Sequence, residues 1–400
     1  MKKVYLDYAA TTPVHKKVKK AMNPYFSNIF ANPSSLHQFG QDAKIALDKA
    51  RETIADFIES QPKEIVFTSG GSESDNLALK GVFFKVKQNK DENFKPHIIT
   101  SAIEHSAILN TCKFLEKQGA KLTYIKPDKQ GLIDPKEVKK EINKNTILVS
   151  IMHANNEVGT IEPIKEIGEI IRKIKQQRKE KSNNVPLYFH TDAVQTFGHI
   201  KTKVKDLGAD MLSASAHKLY GPKGVGLLFV KEGIDIEPLI HAGEQERKRR
   251  GSTHNVPGII GLAKAVEIAD PEMEKEKNRL TKLRDYFIKE VKNSIKGVKL
   301  NGHPTKRLPN NVNVAIKGVE GEALLMSLDE AGIAVSTGSA CSSTELKPSH
   351  VLMAMGFTHL RSHTSVRFSM GRYTKKKEIQ YVIKKLKTIV KRLRDISPLK

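Results

Sequence analysis

The feature that most constrains the fold is the segment 211–226, MLSASAHKLYGPKGVG, in which an apolar strand pattern runs into a turn of small residues and glycines. The small residues at 213–216 allow a bulky group to lie against the backbone. Glycines at 221, 224 and 226 permit a tight return into the next strand pattern, 225–230. The pattern therefore predicts Lys218 at the mouth of a buried strand.

A second strand pattern, 187–195 (LYFHTDAVQ), ends in a carboxylate. It is apolar enough to be buried on both faces, and its carboxyl end, with Asp192, is where open α/β sheets bind ligands. The spacing between Asp192 and Lys218 suits neighbouring strands of one sheet. A lysine shielded from water can form a Schiff base with pyridoxal phosphate, whose ring nitrogen needs a carboxylate partner. Taken alone, Lys218 could also be a surface lysine beside a turn.

Other strand patterns alternate with helical ones and predict an α/β fold. The strand 64–69 leads through a glycine turn into a helix, and the first amides of that helix with the hydroxyl of Ser72 make an anion cradle. Such a turn can also be a plain connection. The strands 97–101 and 147–152 also end in polar clusters, at 104–107 and 153–160.

A thiol, Cys341, lies within STGSACSST at 336–344, where every other residue is small or flexible. This composition predicts a mobile loop from which a thiolate could move between a site and a partner. His105 could supply the base that the thiol needs. Arg367, between the strand residues 366 and 368, could clamp a carboxylate, or could be a surface arginine on a strand.

These motifs, HTDAVQ at 190–195, SASAHK at 213–218 and GPKG at 221–224, resemble those of class V aminotransferase-fold enzymes and, more narrowly, the cysteine desulfurases of the NifS/IscS type. The similarity runs from LDYAATT at 6–12 to RFSMGR at 367–372, nearly the whole chain. It implies an aspartate aminotransferase-like, pyridoxal-phosphate-dependent transferase fold with a large, mostly parallel-sheet domain and a smaller α+β domain. We expect the large domain at 14–260, and the small one at 1–13 plus 261–400 with the Cys341 loop.

The resemblance also implies the site. The catalytic residues would be Lys218, Cys341 and His105. The cofactor would be held by Gly71, Ser72, His105, Asn156, Asp192, Gln195, Ser215, His217 and Lys218, and by Thr253, which would cap the phosphate across a twofold homodimer interface. The carboxylate of the substrate would be held by Asn32 and Arg367.

The implied reaction is the removal of sulfur from L-cysteine, which gives L-alanine and a persulfide on Cys341. The sulfur acceptor would be an iron–sulfur scaffold protein, a tRNA-thiolation enzyme or both. No resident metal is implied, only a transient contact of Cys341 with an iron–sulfur centre. A selenocysteine lyase or an aminotransferase on this fold would have less need of Cys341, and a basic RNA-binding scaffold would have no need of the intact site. Replacement of Cys341 by alanine discriminates among these functions.

The formal net charge of +24 makes nucleic acid or an acidic protein conceivable partners. However, the lysines are spread over many helical faces and no basic strand carries interleaved aromatic residues, so solvated faces are expected and direct nucleic-acid binding is not. Two cysteines cannot build a disulfide framework, the start is unlike a signal peptide, and no run approaches the roughly twenty apolar residues of a membrane span. We predict a cytoplasmic protein. The polar stretch 175–184 is expected to be a surface insertion.

Overall fold

A computed structural model describes residues 3–91, 93–337 and 348–396. Cys341 and the rest of its predicted loop from residue 338 onward lie outside these residues. In chain order, the strands are β1 (Val4–Tyr5), β2 (Ile65–Thr68), β3 (His97–Ser101), β4 (Lys121–Ile125), β5 (Thr146–Ser150), β6 (Tyr188–Asp192), β7 (Met211–Ser215), β8 (Gly226–Val230), β9 (Val298–Asn301), β10 (Asn311–Ile316), β11 (Ile333–Ala334) and β12 (Ser365–Ser369).

The helices are α1 (Lys16–Met22), α2 (Pro24–Ser27), α3 (Gln38–Ile58), α4 (Gly71–Gln88), α5 (Ser106–Lys117), α6 (Pro135–Glu141), α7 (Ile164–Glu180), α8 (Val204–Leu207), α9 (Val256–Ser294), α10 (Gly321–Glu330), α11 (His350–Ala354), α12 (His359–His363) and α13 (Lys376–Ile396). Short 3-10 turns cover Pro62–Glu64, Ala216–Lys218 and Gln245–Lys248. Within the described ranges, no helix combines the length and hydrophobicity needed to cross a bilayer.

Seven strands form the large sheet in the order β2-β8-β7-β6-β5-β3-β4. The pairs from β7 through β6, β5 and β3 to β4 are parallel, whereas β8 runs antiparallel to both of its neighbours. The expected α/β fold with a mostly parallel sheet is confirmed. Strands β6 and β7 are direct neighbours, with Asp192 opposite Ser213, so the two motifs that carry Asp192 and Lys218 meet at one edge of the sheet.

A smaller antiparallel sheet, β12-β10-β9, lies in the second half of the chain, and β1 pairs in parallel with β11. The side chains of the small sheet share a hydrophobic core with α13, with the second half of α9 and with Val4 and Leu6. The amino-terminal residues therefore pack with the carboxy-terminal part of the chain. This arrangement places Asp7 next to the end of β12, the strand that carries Arg367.

The predicted domain boundary at residue 260 falls inside α9, a single helix of 39 residues with Pro271 in its interior. The residues of α9 up to Met273 belong to the core of the large sheet, and those from Leu280 onward belong to the core of the small sheet. The two-domain division remains a proposal, which this change of core along α9 supports.

The expectation of a surface insertion at 175–184 is wrong for its first half. Helix α7 continues through Glu180, and Arg178 is buried because its guanidinium donates to the carbonyl oxygens of Asn143, Thr146 and Val185 at 2.6, 2.9 and 3.1 Å. A basic residue in a polar run is expected to be solvated, whereas Arg178 satisfies backbone carbonyl oxygens.

Candidate active site

The carboxyl ends of β6 and β7, the start of α4 and the amino-terminal segment enclose a cleft of about 480 Å³. This volume suits a small organic molecule. Ten of the predicted site residues line the cleft: Gly71, Ser72, His105, Asn156, Asp192, Gln195, Ser215, His217, Lys218 and Arg367. The fold thus brings together residues that are up to about three hundred positions apart in the sequence.

Lys218 ends the 3-10 turn that follows β7 and is half-buried. Its Nζ donates to the carbonyl oxygens of Ala9 and Ala10, at 2.5 and 2.7 Å. The adjacent His217 contacts the same segment through the hydroxyl of Thr11, at 3.1 Å. These contacts fix the amine at the wall of the cleft, beside the amino-terminal segment.

Asp192 ends β6 and is buried. Its Oδ1 accepts a hydrogen bond from the backbone N–H of Val194, at 2.8 Å. Burial raises the pKa of Asp192, and the Val194 N–H, His105 and Lys218 offset part of this rise. A positive ring nitrogen beside this carboxylate would complete the compensation, because a buried charge needs an opposite partner.

His105 caps the start of α5, where its Nδ1 accepts from the backbone N–H of Ala107 at 3.2 Å. A neutral imidazole whose Nδ1 accepts carries its proton on Nε2. Burial lowers the pKa of His105; Asp192 opposes this effect and Lys218 adds to it. In this tautomer, Nε2 is a hydrogen-bond donor. The predicted role as a base would require loss of the Ala107 contact.

The amino terminus of α4 provides the predicted anion cradle. The helix begins at Gly71, and a Cβ at this position would stand 2.6 Å from Cγ2 of Val194 in the wall of the cleft. The one acidic residue of the first turn, Glu73, is held by Arg250, whose Nε donates to its Oε1 at 2.8 Å. The free amides and the exposed Ser72 can therefore face an anion without a competing free carboxylate.

Arg367, on β12, is buried at the opposite wall. Its Nη1 donates to the carbonyl oxygen of Asn156 at 2.9 Å, and its Nη2 donates to Oδ1 of Asp7 at 3.0 Å. The alternative of a surface arginine is therefore wrong. A guanidinium in the wall of this cleft is suited to holding a carboxylate.

Sequence reasoning missed Asp7 and Asp75, which both line the cleft. Asp75 lies one turn after Gly71 on α4 and is completely buried, and burial together with Asp192 raises its pKa well above the usual range. A signal for Asp75 was its spacing of four residues from Gly71, which puts both on one face of the helix. For Asp7, the only signal in the sequence was its position inside the LDYAATT motif.

Two further predicted residues, Asn32 and Thr253, are not among the described residues that line this cleft. Asn32 is exposed and its Oδ1 accepts from the backbone N–H of Ser34 at 3.0 Å, and Thr253 is also exposed. Their roles stay predictions, and Cys341 lies outside the described residues. The residues that are present fit pyridoxal phosphate in kind: a lysine for the aldehyde, a buried carboxylate for the ring nitrogen and a helix terminus for the phosphate.

Comparison with known proteins agrees with this geometry. The family described as Aminotransferase class-V matches residues 4–382. The cysteine desulfurase IscS of Dictyoglomus turgidum is 52% identical over 399 residues, which cover 100% of this chain and 97% of that protein. The enzyme of the same name from Methanosarcina thermophila is 50% identical over 398 residues, which cover 100% and 94%.

Two solved structures are similar over most of their length. A NifS-like protein has a TM-score of 0.88 at 37% identity, covering 98% of this chain and 100% of that one. A structure described as SspA in complex with cysteine has a TM-score of 0.79 at 39% identity, covering 93% and 100%.

Proposed function

The chain belongs to the class V aminotransferase family, and from that premise we propose how its own residues carry out the reaction of its desulfurase relatives. It is a pyridoxal-phosphate-dependent cysteine desulfurase, which takes sulfur from L-cysteine and leaves L-alanine. The observation that carries the assignment of residues is the delivery of Lys218 and Asp192, by adjacent parallel strands, to one cleft that Arg367 closes on the other side.

When bound, pyridoxal phosphate supplies an electron sink for the electrons released at the Cα of the substrate. Asp192 would hold the proton on the ring nitrogen, and the amides at the start of α4 with Ser72 would hold the phosphate. Asn156 and Gln195 would hydrogen-bond to the phenolic oxygen, Ser215 and His217 would complete the cofactor wall, and His105 would lie on the ring. Nζ of Lys218 would remove the proton from Cα.

Arg367 would orient the substrate by its carboxylate. The thiolate of Cys341 would attack the sulfur of cysteine, so that a sulfur–sulfur bond forms as the bond from Cβ to sulfur breaks. The carbon fragment would take up protons and leave as L-alanine. Atoms balance, since one thiol and one cysteine give one persulfide and one alanine.

We further propose that the persulfide sulfur goes to an iron–sulfur scaffold protein or a tRNA-thiolation enzyme in the cytoplasm. The enzyme would act as a homodimer in which Thr253 reaches the cofactor phosphate of the partner subunit. Support comes from the segment before Thr253, where Glu246, Arg247 and Lys248 all have positive φ of 48 to 64°. Side chains other than glycine keep such conformations where the surroundings impose them, commonly at functional sites.

The test is to add L-cysteine to the purified holoenzyme and to locate added sulfur by mass spectrometry. We expect a persulfide on Cys341, and loss of sulfide and alanine production in Cys341→Ala while the cofactor absorbance is retained. Cys112→Ala is the matched control, because Cys112 is fully buried in the core of the large sheet and should not affect sulfur transfer. Undiminished alanine release by Cys341→Ala would contradict the assignment.

A further inference from the structure

The proposed substrate clamp already holds a carboxylate of its own chain. Nη2 of Arg367 donates to Oδ1 of Asp7 at 3.0 Å, and the side chains of the two residues are 5% and 20% exposed. Nη1 of Arg367 donates a hydrogen bond to the carbonyl oxygen of Asn156. The guanidinium proposed to receive the substrate is therefore engaged by an acidic residue that lines the same cleft.

The backbone fixes Asp7 in this position. The N–H of Ser369 donates to the carbonyl oxygen of Leu6 at 2.7 Å, and the N–H of Tyr8 donates to that of Ser369 at 3.3 Å. Asp7 is thereby paired with Ser369, two residues beyond Arg367 on β12, and residues two apart on a strand share one face. The contact of Asp7 with Arg367 thus follows from strand pairing and does not depend on a freely moving side chain.

The N–H groups of Arg367 determine how the carboxylate of a bound amino acid could contact it in addition to Asp7. Nε of Arg367 is buried and has no hydrogen-bond partner among the described residues. A carboxylate that binds an arginine side-on uses Nε–H together with an N–H of Nη2. Asp7 accepts from one of the two N–H groups of Nη2, so a carboxylate bound to Nε and the other N–H of Nη2 would lie beside Asp7. Two adjacent carboxylates on one guanidinium repel each other, and this repulsion sets Asp7 against the incoming carboxylate.

We propose that Asp7 is a specificity-determining residue that competes with the α-carboxylate of the amino acid for Arg367. This inference rests on the proposed role of Arg367 as the carboxylate site. Only ligands with a carboxylate in the correct place displace Asp7, and the affinity for amino acids is weaker than the bare guanidinium would provide. The measured dissociation constant is the intrinsic one divided by the fraction of protein in which Asp7 does not hold Arg367.

The test compares wild-type holoenzyme with Asp7→Asn, which keeps an oxygen acceptor for Nη2 but removes the charge. L-Alanine is titrated and its binding is followed by the absorbance of the bound cofactor. We expect the dissociation constant to fall about three- to tenfold in Asp7→Asn, the size of effect that a partly exposed ion pair allows. Binding of L-alaninamide, which has no carboxylate, should change less than twofold.

Asp235→Asn is the matched control, because it removes the carboxylate of an exposed ion pair with Lys85 and should leave both affinities unchanged. If Asp7→Asn does not fold, Asp7→Ser provides the same test with a smaller neutral side chain. Unchanged or weaker binding of L-alanine by a folded neutral variant would overturn the proposal. Failure of the proposed function is separate: it would show as L-alanine binding that is insensitive to Arg367→Lys.

Discussion

At the scale of single residues, the cleft is backed by buried carboxyl groups that cannot all be ionised. Asp75, Asp192 and Glu104 are each buried, and each has a raised pKa with burial as the main cause. Like charges this close repel, and little water is present to screen them. Neutral Asp75 and Glu104 would leave Asp192 as the carboxylate available for its proposed contact with the cofactor ring.

The raised pKa of Glu104 can be tested through the pH dependence of the free energy of unfolding. Its Oε1 accepts from Oγ of Ser101 at 2.5 Å and from the N–H of Met152 at 2.9 Å, and burial raises its pKa from 4.5 to about 8. The folded protein thus keeps a proton that the unfolded chain releases near pH 4.5, so the contribution to stability is fully present below that pH and is lost as pH rises to about 8.

We therefore expect Glu104→Gln, which keeps both contacts of Oε1, to lose less stability than the wild type between pH 5 and 8, by roughly 2–4 kcal/mol. The measurement is urea unfolding at several pH values. Buried histidines such as His153, with a pKa lowered to about 4 by burial, have the opposite slope, so the difference between the two proteins is the quantity to compare. Parallel stability profiles would contradict the expectation.

At the scale of elements, helix α7 also stabilises two strands that neighbour it. Arg178 near its end donates to the carbonyl oxygens of Asn143 and Thr146, beside β5, and to those of Val185 and Pro186, before β6. One guanidinium thereby holds together the starts of two adjacent strands whose far ends form the cleft. Removal of such a donor leaves the buried carbonyl oxygen of Thr146, and three partly buried ones, without this partner.

Arg178→Met is expected to lower the free energy of unfolding by about 2–4 kcal/mol, since it keeps the volume but removes the donors. The midpoint of urea unfolding measures this change. Lys179→Met, at an exposed neighbouring position, is the control and should stay within about 0.5 kcal/mol of the wild type. Equal midpoints for the two variants would show that the carbonyl oxygens find other partners.

At the scale of the whole molecule, large apolar side chains are exposed in the segment 26–45. Phe26, Phe30, Leu36, Phe39 and Ile45 are between 60 and 94% exposed. Exposed apolar residues that concentrate in one region indicate an interaction surface. A second copy of the chain would cover them in the proposed homodimer.

Analytical ultracentrifugation tests this proposal. The wild type should sediment as a dimer, and the double variant Phe30→Asp with Phe39→Asp should shift toward monomer, because it places charges in the apolar contact. Met326→Asp, at another exposed apolar position, should leave the dimer intact. A wild-type monomer, or a dimer unaffected by the double variant, would contradict a contact through this segment.

The α/β class, the order of the strand motifs and the placement of Lys218 and Asp192 at strand ends could all be predicted from the amino-acid sequence. Local patterns carry this information, because the burial of a strand and the turn that ends it depend on neighbouring residues. The motifs also carried the family resemblance, which the comparisons confirmed. The pairing of β6 with β7 was expected from the spacing of Asp192 and Lys218 along the chain.

The tertiary structure alone decided which distant groups meet. Asp7 and Arg367 are 360 positions apart and come together only because the amino-terminal segment pairs with the end of β12. The tautomer of His105 depends on the cap of one helix, and the burial of Arg178 depends on carbonyl oxygens from two other connections. These features depend on long-range packing, which local hydrophobic patterns do not encode, and they set the charge and the hydrogen-bonding capacity of the site.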